Sequence, residues 1–184
     1  MMMSLYFMKK VPFSHVYVHA LVRDEKGQKM SKSKGNVIDP LVLINEYGAD
    51  ALRFTLIAMS SPGRDVKLAK ERVNGYKNFV TKIWNIFNFS KFNSTFSKLK
   101  INIKKINHPL NLWILNEFNL CKNKTNECIE AYRFDEAAKH VYQFVWNLFC
   151  DWYIEFSKPI LYSVDKKNIQ EVKDTMTYLQ SEIL

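Results

Sequence analysis

Lys29-Met30-Ser31-Lys32-Ser33-Lys34-Gly35-Asn36 gathers three lysines, two serines and a glycine into one short stretch. Ammonium groups stabilise negative charge as it builds up, short hydroxyls bond to oxyanions, and glycine lets the backbone fold closely over a ligand. These residues suit a nucleoside triphosphate whose pyrophosphate is leaving. They would act by positioning and electrostatics, with no activated nucleophile among them. A plain solvated Lys/Ser loop has the same composition, so the surrounding sequence has to decide between the two.

That surrounding sequence predicts how the stretch is held. Residues 16–22 are rich in β-branched and aromatic types and predict a strand, and residues 23–28 form a polar turn leading into the lysines. Asp39-Pro40 reads as a helix cap followed by a first-turn proline, with Leu41, Leu43 and Ile44 inward and Gly48 as the stop. Asp50 starts a second short helix through Met59, which Ser61-Pro62-Gly63 breaks. From residue 69 the apolar spacing becomes helical, through Val73, Tyr76, Val80, Ile83, Trp84 and Phe87. Residues 93–109 are polar and lysine-rich and read as a connection. Helices are then predicted over 109–133, 135–156 and 164–184. In the second of these, Ala138, Val141, Val145, Leu148 and Trp152 trace one face, Tyr142, Phe149 and Tyr153 widen it, and Pro159 ends it. Trp84, Trp113, Trp146 and Trp152 are all assigned to packing.

Five glycines and five prolines are few for this length, which favours long helices. The expected fold class is mainly α: a short α/β part carrying the lysine loop (residues 1–64), then a bundle of about four helices (residues 65–184). A formal net charge of +9 points to a polyanionic partner, nucleic acid first, because lysines displace condensed counterions from phosphates. Cys121, Cys128 and Cys150 are odd in number and lack CxxC spacing, so a disulfide framework is not expected. The four histidines are scattered, and no metal site is expected. No apolar run approaches a membrane span, and the opening Met1-Met2-Met3-Ser4-Leu5-Tyr6-Phe7-Met8-Lys9-Lys10 has its charges on the wrong side for a secretory signal. A cytoplasmic protein without a membrane partner is expected.

Lys29-Met30-Ser31-Lys32-Ser33 is the KMSKS signature of class I aminoacyl-tRNA synthetases, and it stands in the order that family shows. Pro12-Phe13, Val18-His19, Asp24 and Gly27 precede it; Gly35-Asn36, Asp39-Pro40 and Tyr47-Gly48-Ala49-Asp50-Ala51-Leu52-Arg53 follow. Asp65-Val66-Lys67, Gly75-Tyr76-Lys77-Asn78-Phe79 and Lys82-Ile83-Trp84-Asn85 resemble the valine-specific branch, and Cys150-Asp151-Trp152-Tyr153-Ile154-Glu155-Phe156-Ser157-Lys158 is similar to that branch's strongest helical signature. The resemblance covers residues 11–160. Ala20, Lys34 and Asn88 depart from it, standing where the family usually has glycine, an apolar residue and arginine.

The resemblance implies a class I synthetase piece running from the KMSKS loop into an anticodon-binding domain. Lys29, Met30, Ser31, Lys32 and Ser33 would bind ATP, which arrives with Mg2+ as substrate; Lys32 contacts it, Lys29 assists, and Met30 anchors the loop. In the intact enzyme valine would attack ATP to give valyl-adenylate, then pass to tRNA(Val), the expected partner of a monomer. Phe89 is the aromatic the resemblance places near the anticodon. Lys77, Lys104 and Lys105 are the cations expected to follow phosphates, since RNA loops are read by stacking bases on aromatics beside cations. Only 28 residues precede the signature and no HIGH tetrapeptide is among them, so these residues alone are not expected to aminoacylate. The rival readings are an isoleucine enzyme, a stand-alone tRNA-binding module without catalysis, and a purely structural bundle.

Overall fold

The computed structural model describes residues 1–93 and 106–183. Helix α1 (Met2–Met8) buries none of its residues. Strand β1 (Val22–Arg23) runs parallel to β2 (Val66–Lys67), with Val22 opposite Val66 and Arg23 opposite Lys67. Between them lie a 3₁₀ turn (Lys32–Lys34), α2 (Pro40–Tyr47) and α3 (Ala49–Ala58). The start of α2 is fixed by the Asp39 carboxylate, which accepts the Leu41 N–H at 2.8 Å, and by Pro40 in its first turn. Gly48 ends α2 at φ +92°, a conformation that L side chains rarely adopt.

The rest is helical: α4 (Lys70–Phe92), α5 (Pro109–Glu130), α6 (Phe134–Tyr142), a π-helical segment (Gln143–Tyr153), α7 (Ile154–Leu161) and α8 (Lys166–Ile183). Asp165 caps α8, its carboxylate accepting the Lys167 and Asn168 N–H groups at 3.0 and 3.2 Å. Two apolar clusters form. A small one beneath the lysine loop comprises Leu43, Ala51, Leu52, Leu68 and Val73. The larger one fills the bundle with Phe79, Ile86, Ile114, Phe118, Phe144, Phe149, Tyr153, Val172, Met176 and Leu179. The mainly α expectation holds. Phe54 of α3 packs on the bundle, 5.1 Å from the Phe79 ring. Two buried side-chain bonds cross between helices: Tyr153 OH donates to Asn111 Oδ1 at 2.8 Å, and Gln180 Nε2 donates to Ser90 Oγ.

Several expectations are corrected. The strand expected over residues 16–22 is paired only at its last residue, and Val16 and Val18 lie exposed. A β-rich run becomes a strand only where a neighbour supplies its ladder, and here β2 offers two residues. The helix expected over 135–156 is continuous, but its middle is π-helical, with hydrogen bonds spanning five residues instead of four. Inward positions therefore recur at wider intervals: Phe144, Phe149 and Ile154, then Val145 and Cys150. Trp152, seven residues after Val145 and on its face at the α period, turns outward and is 54% exposed. Trp84 is likewise 63% exposed, whereas Trp113 and Trp146 pack on the core as expected. Pro159 does not end the helix; it lies in the last turn, where one lost rung is tolerated, and α7 runs on to Leu161.

Helix α5 ends in an unusual turn. Tyr132 adopts φ +56°, and the Arg133 N–H reaches back to Cys128 O at 2.7 Å. Glycine is the usual occupant of this place, and the left-handed backbone costs a bulky residue about 1–2 kcal/mol.

Candidate functional site

The lysine loop hangs from β1. Arg23 pairs in an antiparallel bridge with Lys29 and forms an ion pair with Asp65 beside β2. Between them the chain reverses through Asp24, whose carboxylate accepts the Gln28 N–H at 2.6 Å and whose carbonyl accepts the Gly27 N–H at 2.9 Å. Gly27 is favoured by its φ of +78°, whereas the nearest neighbour of an added Cβ would be the flexible end of the Lys67 side chain at 3.0 Å, which can move aside.

Asn36 latches the far end. Its Oδ1 accepts the Ser31 N–H at 2.9 Å, and its Nδ2 donates to Asp24 Oδ2 at 2.8 Å and to Lys29 O at 3.3 Å. The Asn36 amide is the main reason the Asp24 carboxyl lies below its ordinary pKa; partial burial opposes it and the Gln28 N–H assists. Met30 packs against the small cluster of Leu43, Ala51, Leu52, Leu68 and Val73, the anchoring expected of it. Ser31 and Ser33 place their hydroxyls 3.2 Å apart, and Gly35 closes the 3₁₀ turn at φ +65°. Lys29, Lys32 and Lys34 are exposed, and among the described residues none of the three forms an ion pair. The latch thus fixes the backbone while leaving three cations directed at solvent. Three exposed cations on a fixed backbone have the charge and spacing that suit a polyphosphate. Asn36 as the latch was legible only as part of a motif order; its signal is the Asn and Asp pair flanking the turn.

The residues expected to meet tRNA lie elsewhere. From Val73, under the loop, to Phe89 is sixteen residues of α4, roughly 24 Å at 1.5 Å per residue. Phe89 is partly buried against the bundle core, and Lys158 Nζ stands 5.9 Å from its ring centroid while also donating to Glu155 Oε1 at 2.6 Å. Lys77 donates to Glu46 O at 3.1 Å and lies 5.7 Å from the Tyr47 ring, a cation at the C-terminal end of α2. Lys104 and Lys105 lie outside the described residues. Lys82 sits 4.1 Å over the Trp146 ring and pairs with Asp151, joining α4 to the π segment. Lys158 pairs with Glu155 on its own helix, whereas Asp151 pairs with Lys82 across helices. Asp50 and Arg53 pair at 3.6 Å on an exposed surface, which contributes little. Cys150 is inert, its thiol pushed up to about 12 chiefly by burial.

Two family descriptions match the chain. Residues 1–69 match tRNA synthetases class I (I, L, M and V), and residues 111–184 match the anticodon-binding domain of tRNA ligase. The chain belongs to the class I tRNA synthetases. Its similarity to curated members runs over its full length: it is 54% identical to the valine–tRNA ligase of Bradyrhizobium diazoefficiens, covering 100% of this chain and 19% of that protein. The corresponding figures for the valine–tRNA ligase of Pelagibacter ubique are 55%, 100% and 21%, and for that of Brucella suis 52%, 100% and 20%. The chain thus spans about a fifth of the length of these relatives. A solved LeuRS–tRNA–LeuAMS ternary complex of Agrobacterium radiobacter has the same fold, with a TM-score of 0.69 at 21% identity over 91% of this chain and 20% of that one. Among the described residues, no helix is long and apolar enough to cross a membrane.

Proposed function

We propose that this synthetase segment supplies the ATP-facing loop and the tRNA-gripping helices of a valine–tRNA ligase, working as a monomer in the cytoplasm. The observation that carries the reading is the latched loop with three unpaired lysines, in a chain similar along its full length to proteins named valine–tRNA ligase. In the reaction, the carboxylate of valine attacks the α-phosphate of ATP, forming valyl-adenylate and releasing pyrophosphate, and the terminal ribose hydroxyl of tRNA(Val) then takes the valyl group with release of AMP. Mg2+ accompanies ATP as part of the substrate and neutralises phosphate charge. Lys32 contacts the phosphates, Lys29 assists from the strand side, and Ser31 and Ser33 offer hydroxyls to the same oxygens. Met30 and Asn36 hold the backbone so that these groups need not be ordered anew at each turnover.

Residues 1–64 are the catalytic end in this reading and residues 65–184 the anticodon-binding part, with β2 and the first turns of α4 as their seam. Phe89 stacks on an RNA base once Lys158 moves off its ring, and Lys77, Lys104 and Lys105 follow the phosphates. The test is titration of this chain against tRNA(Val) and an anticodon-altered tRNA at near-physiological salt. Preference for the valine anticodon supports the reading. Equal, strongly salt-dependent binding refutes it, leaving a basic helical domain without specificity.

A further inference from the structure

Tyr132 holds a backbone conformation that glycine would adopt at no steric cost, and its ring does not point idly into solvent. It stacks on Tyr17 with centroids 6.1 Å apart and planes 26° from parallel, lies 5.8 Å from the His15 ring, and meets Phe134 edge-on at 6.3 Å. Phe134, the first residue of α6, completes a triangle of rings by meeting Tyr17 edge-on at 5.4 Å. An observed left-handed bulky residue argues for a demand on its side chain, because glycine, which has no Cβ, would relieve the strain.

That demand concerns the approach to the lysine loop. Residues 14–21 have no regular structure. A second tie to the fold comes at the end of the segment, where the Val66 N–H donates to Leu21 O at 2.8 Å. Five residues after Tyr17 the chain enters β1, whose Arg23 bridges Lys29 at the foot of the loop. The segment is therefore held at two points: the β1–β2 ladder, and an aromatic clasp on the turn between α5 and α6.

We propose that Tyr132 is a positioning residue for the Lys29–Ser33 loop: its ring, set by the left-handed turn, clasps Tyr17 and fastens the approach to the loop onto the corner of the helical bundle. The clasp gives the bundle a mechanical hold on the loop through residues 17–23, separate from the Met30 anchor. Its importance for catalysis rests on the function proposed above, but its existence does not.

The test is amide hydrogen exchange of this chain, read in peptides covering residues 15–23 and 29–36, for the native protein, Tyr132→Phe, Tyr132→Gly and Tyr17→Ala. Tyr132→Gly keeps the turn and removes the ring, and Tyr132→Phe keeps both. Exchange in both peptides is expected to quicken at least tenfold in Tyr132→Gly and Tyr17→Ala and to stay native in Tyr132→Phe, with α4 and α8 unchanged. Native exchange in Tyr132→Gly overturns the proposal, as does Tyr132→Phe behaving like Tyr132→Gly. Should Tyr132→Gly loosen the whole bundle, Tyr17→Ala decides, since it leaves α5 untouched: a quickened loop supports the clasp and an unchanged one refutes it. The tRNA titration reads the function separately, so either result can fail alone.

Discussion

Removing one oxygen from the middle of the bundle should be costly. Tyr153 is wholly buried on the π segment, and its hydroxyl donates at 2.8 Å to Asn111 Oδ1, equally buried near the start of α5. Burial raises the Tyr153 pKa, so the hydroxyl keeps its proton and remains a donor at any working pH. Asn111 Nδ2 already lacks a hydrogen-bond partner. Tyr153→Phe would leave the amide carbonyl without one as well, and stranding a buried acceptor costs about 1–3 kcal/mol. For a chain of this length each kcal/mol moves the melting temperature by about 2–4 °C, so a fall of roughly 2–12 °C is expected. Adding Asn111→Leu removes the stranded amide. Because replacing both partners by apolar groups is nearly neutral, the double variant should recover most of the loss. Urea denaturation followed by circular dichroism reads this as a lower midpoint at unchanged slope for the single variant and a restored midpoint for the double. A single variant as stable as the native chain, or a double variant whose loss is the sum of the two singles, would refute the argument that this bond holds α5 to the π segment.

Further outcomes are expected elsewhere. Asn36→Ala removes the latch, and exchange of the Ser31 amide should quicken at least tenfold while the melting temperature hardly changes; an unaltered Ser31 amide would show that the loop is held by Met30 alone. Phe149→Ala should cost about 3–5 kcal/mol, as core aromatics do, and Trp152→Ala under 1 kcal/mol because its ring lies outside; equal costs would place Trp152 in the core and contradict the π register. Glu171 anchors the entry to α5, its carboxylate accepting the Asn107 and His108 N–H groups at 2.9 Å each. Burial works against the Glu171 charge, yet those two bonds together with the Lys167 and His108 charges outweigh it, and the carboxyl lies below its ordinary value of 4.5. Its contribution is therefore complete above pH 4.5 and lost as pH falls through the lower folded value. Glu171→Gln should flatten the acid limb of a stability-against-pH curve, and an acid limb identical to that of the native chain would count against this anchor.

What could be read from the residues alone was whatever local chemistry decides. Asp39, Pro40 and Gly48 fix α2 because a cap, a locked φ and a positive φ are properties of single residues. Helix starts near residues 70 and 109 followed from apolar spacing, while the one expected at 164 falls at Lys166, where Asp165 supplies the cap. The outward turn of Trp152 could not be read, because it depends on a change of helical period. No residue in Gln143–Tyr153 announces that change of period in a segment that packs on α4 and α5. The run at residues 16–20, which forms no strand, misled for a similar reason: β-propensity records fitness for a sheet without showing whether neighbours exist. The Tyr132 clasp was invisible too, since its members are more than a hundred residues apart in sequence.

The layout gives the two candidate sites a physical relation that neither motif implied. The lysine loop rests on Val73 and Phe89 lies near the other end of the same helix, so α4 separates them by roughly 24 Å of rigid rod. No single nucleotide spans that distance, whereas a folded RNA does. Lys77 and Lys82, lying between the two ends, engage α2 and the π segment and so hold the rod's orientation. A change that bends α4 should therefore uncouple the sites without altering either one. Gly75 is no such hinge: it lies in the second turn of α4, and an added Cβ there would meet nothing within 4 Å. Gly75→Ala is accordingly expected to stiffen the rod and raise stability by about 0.5–1 kcal/mol, the gain of alanine over glycine inside a helix. A destabilised Gly75→Ala would mean that α4 has to flex at this point, and the rigid relation between loop and Phe89 would fall with it.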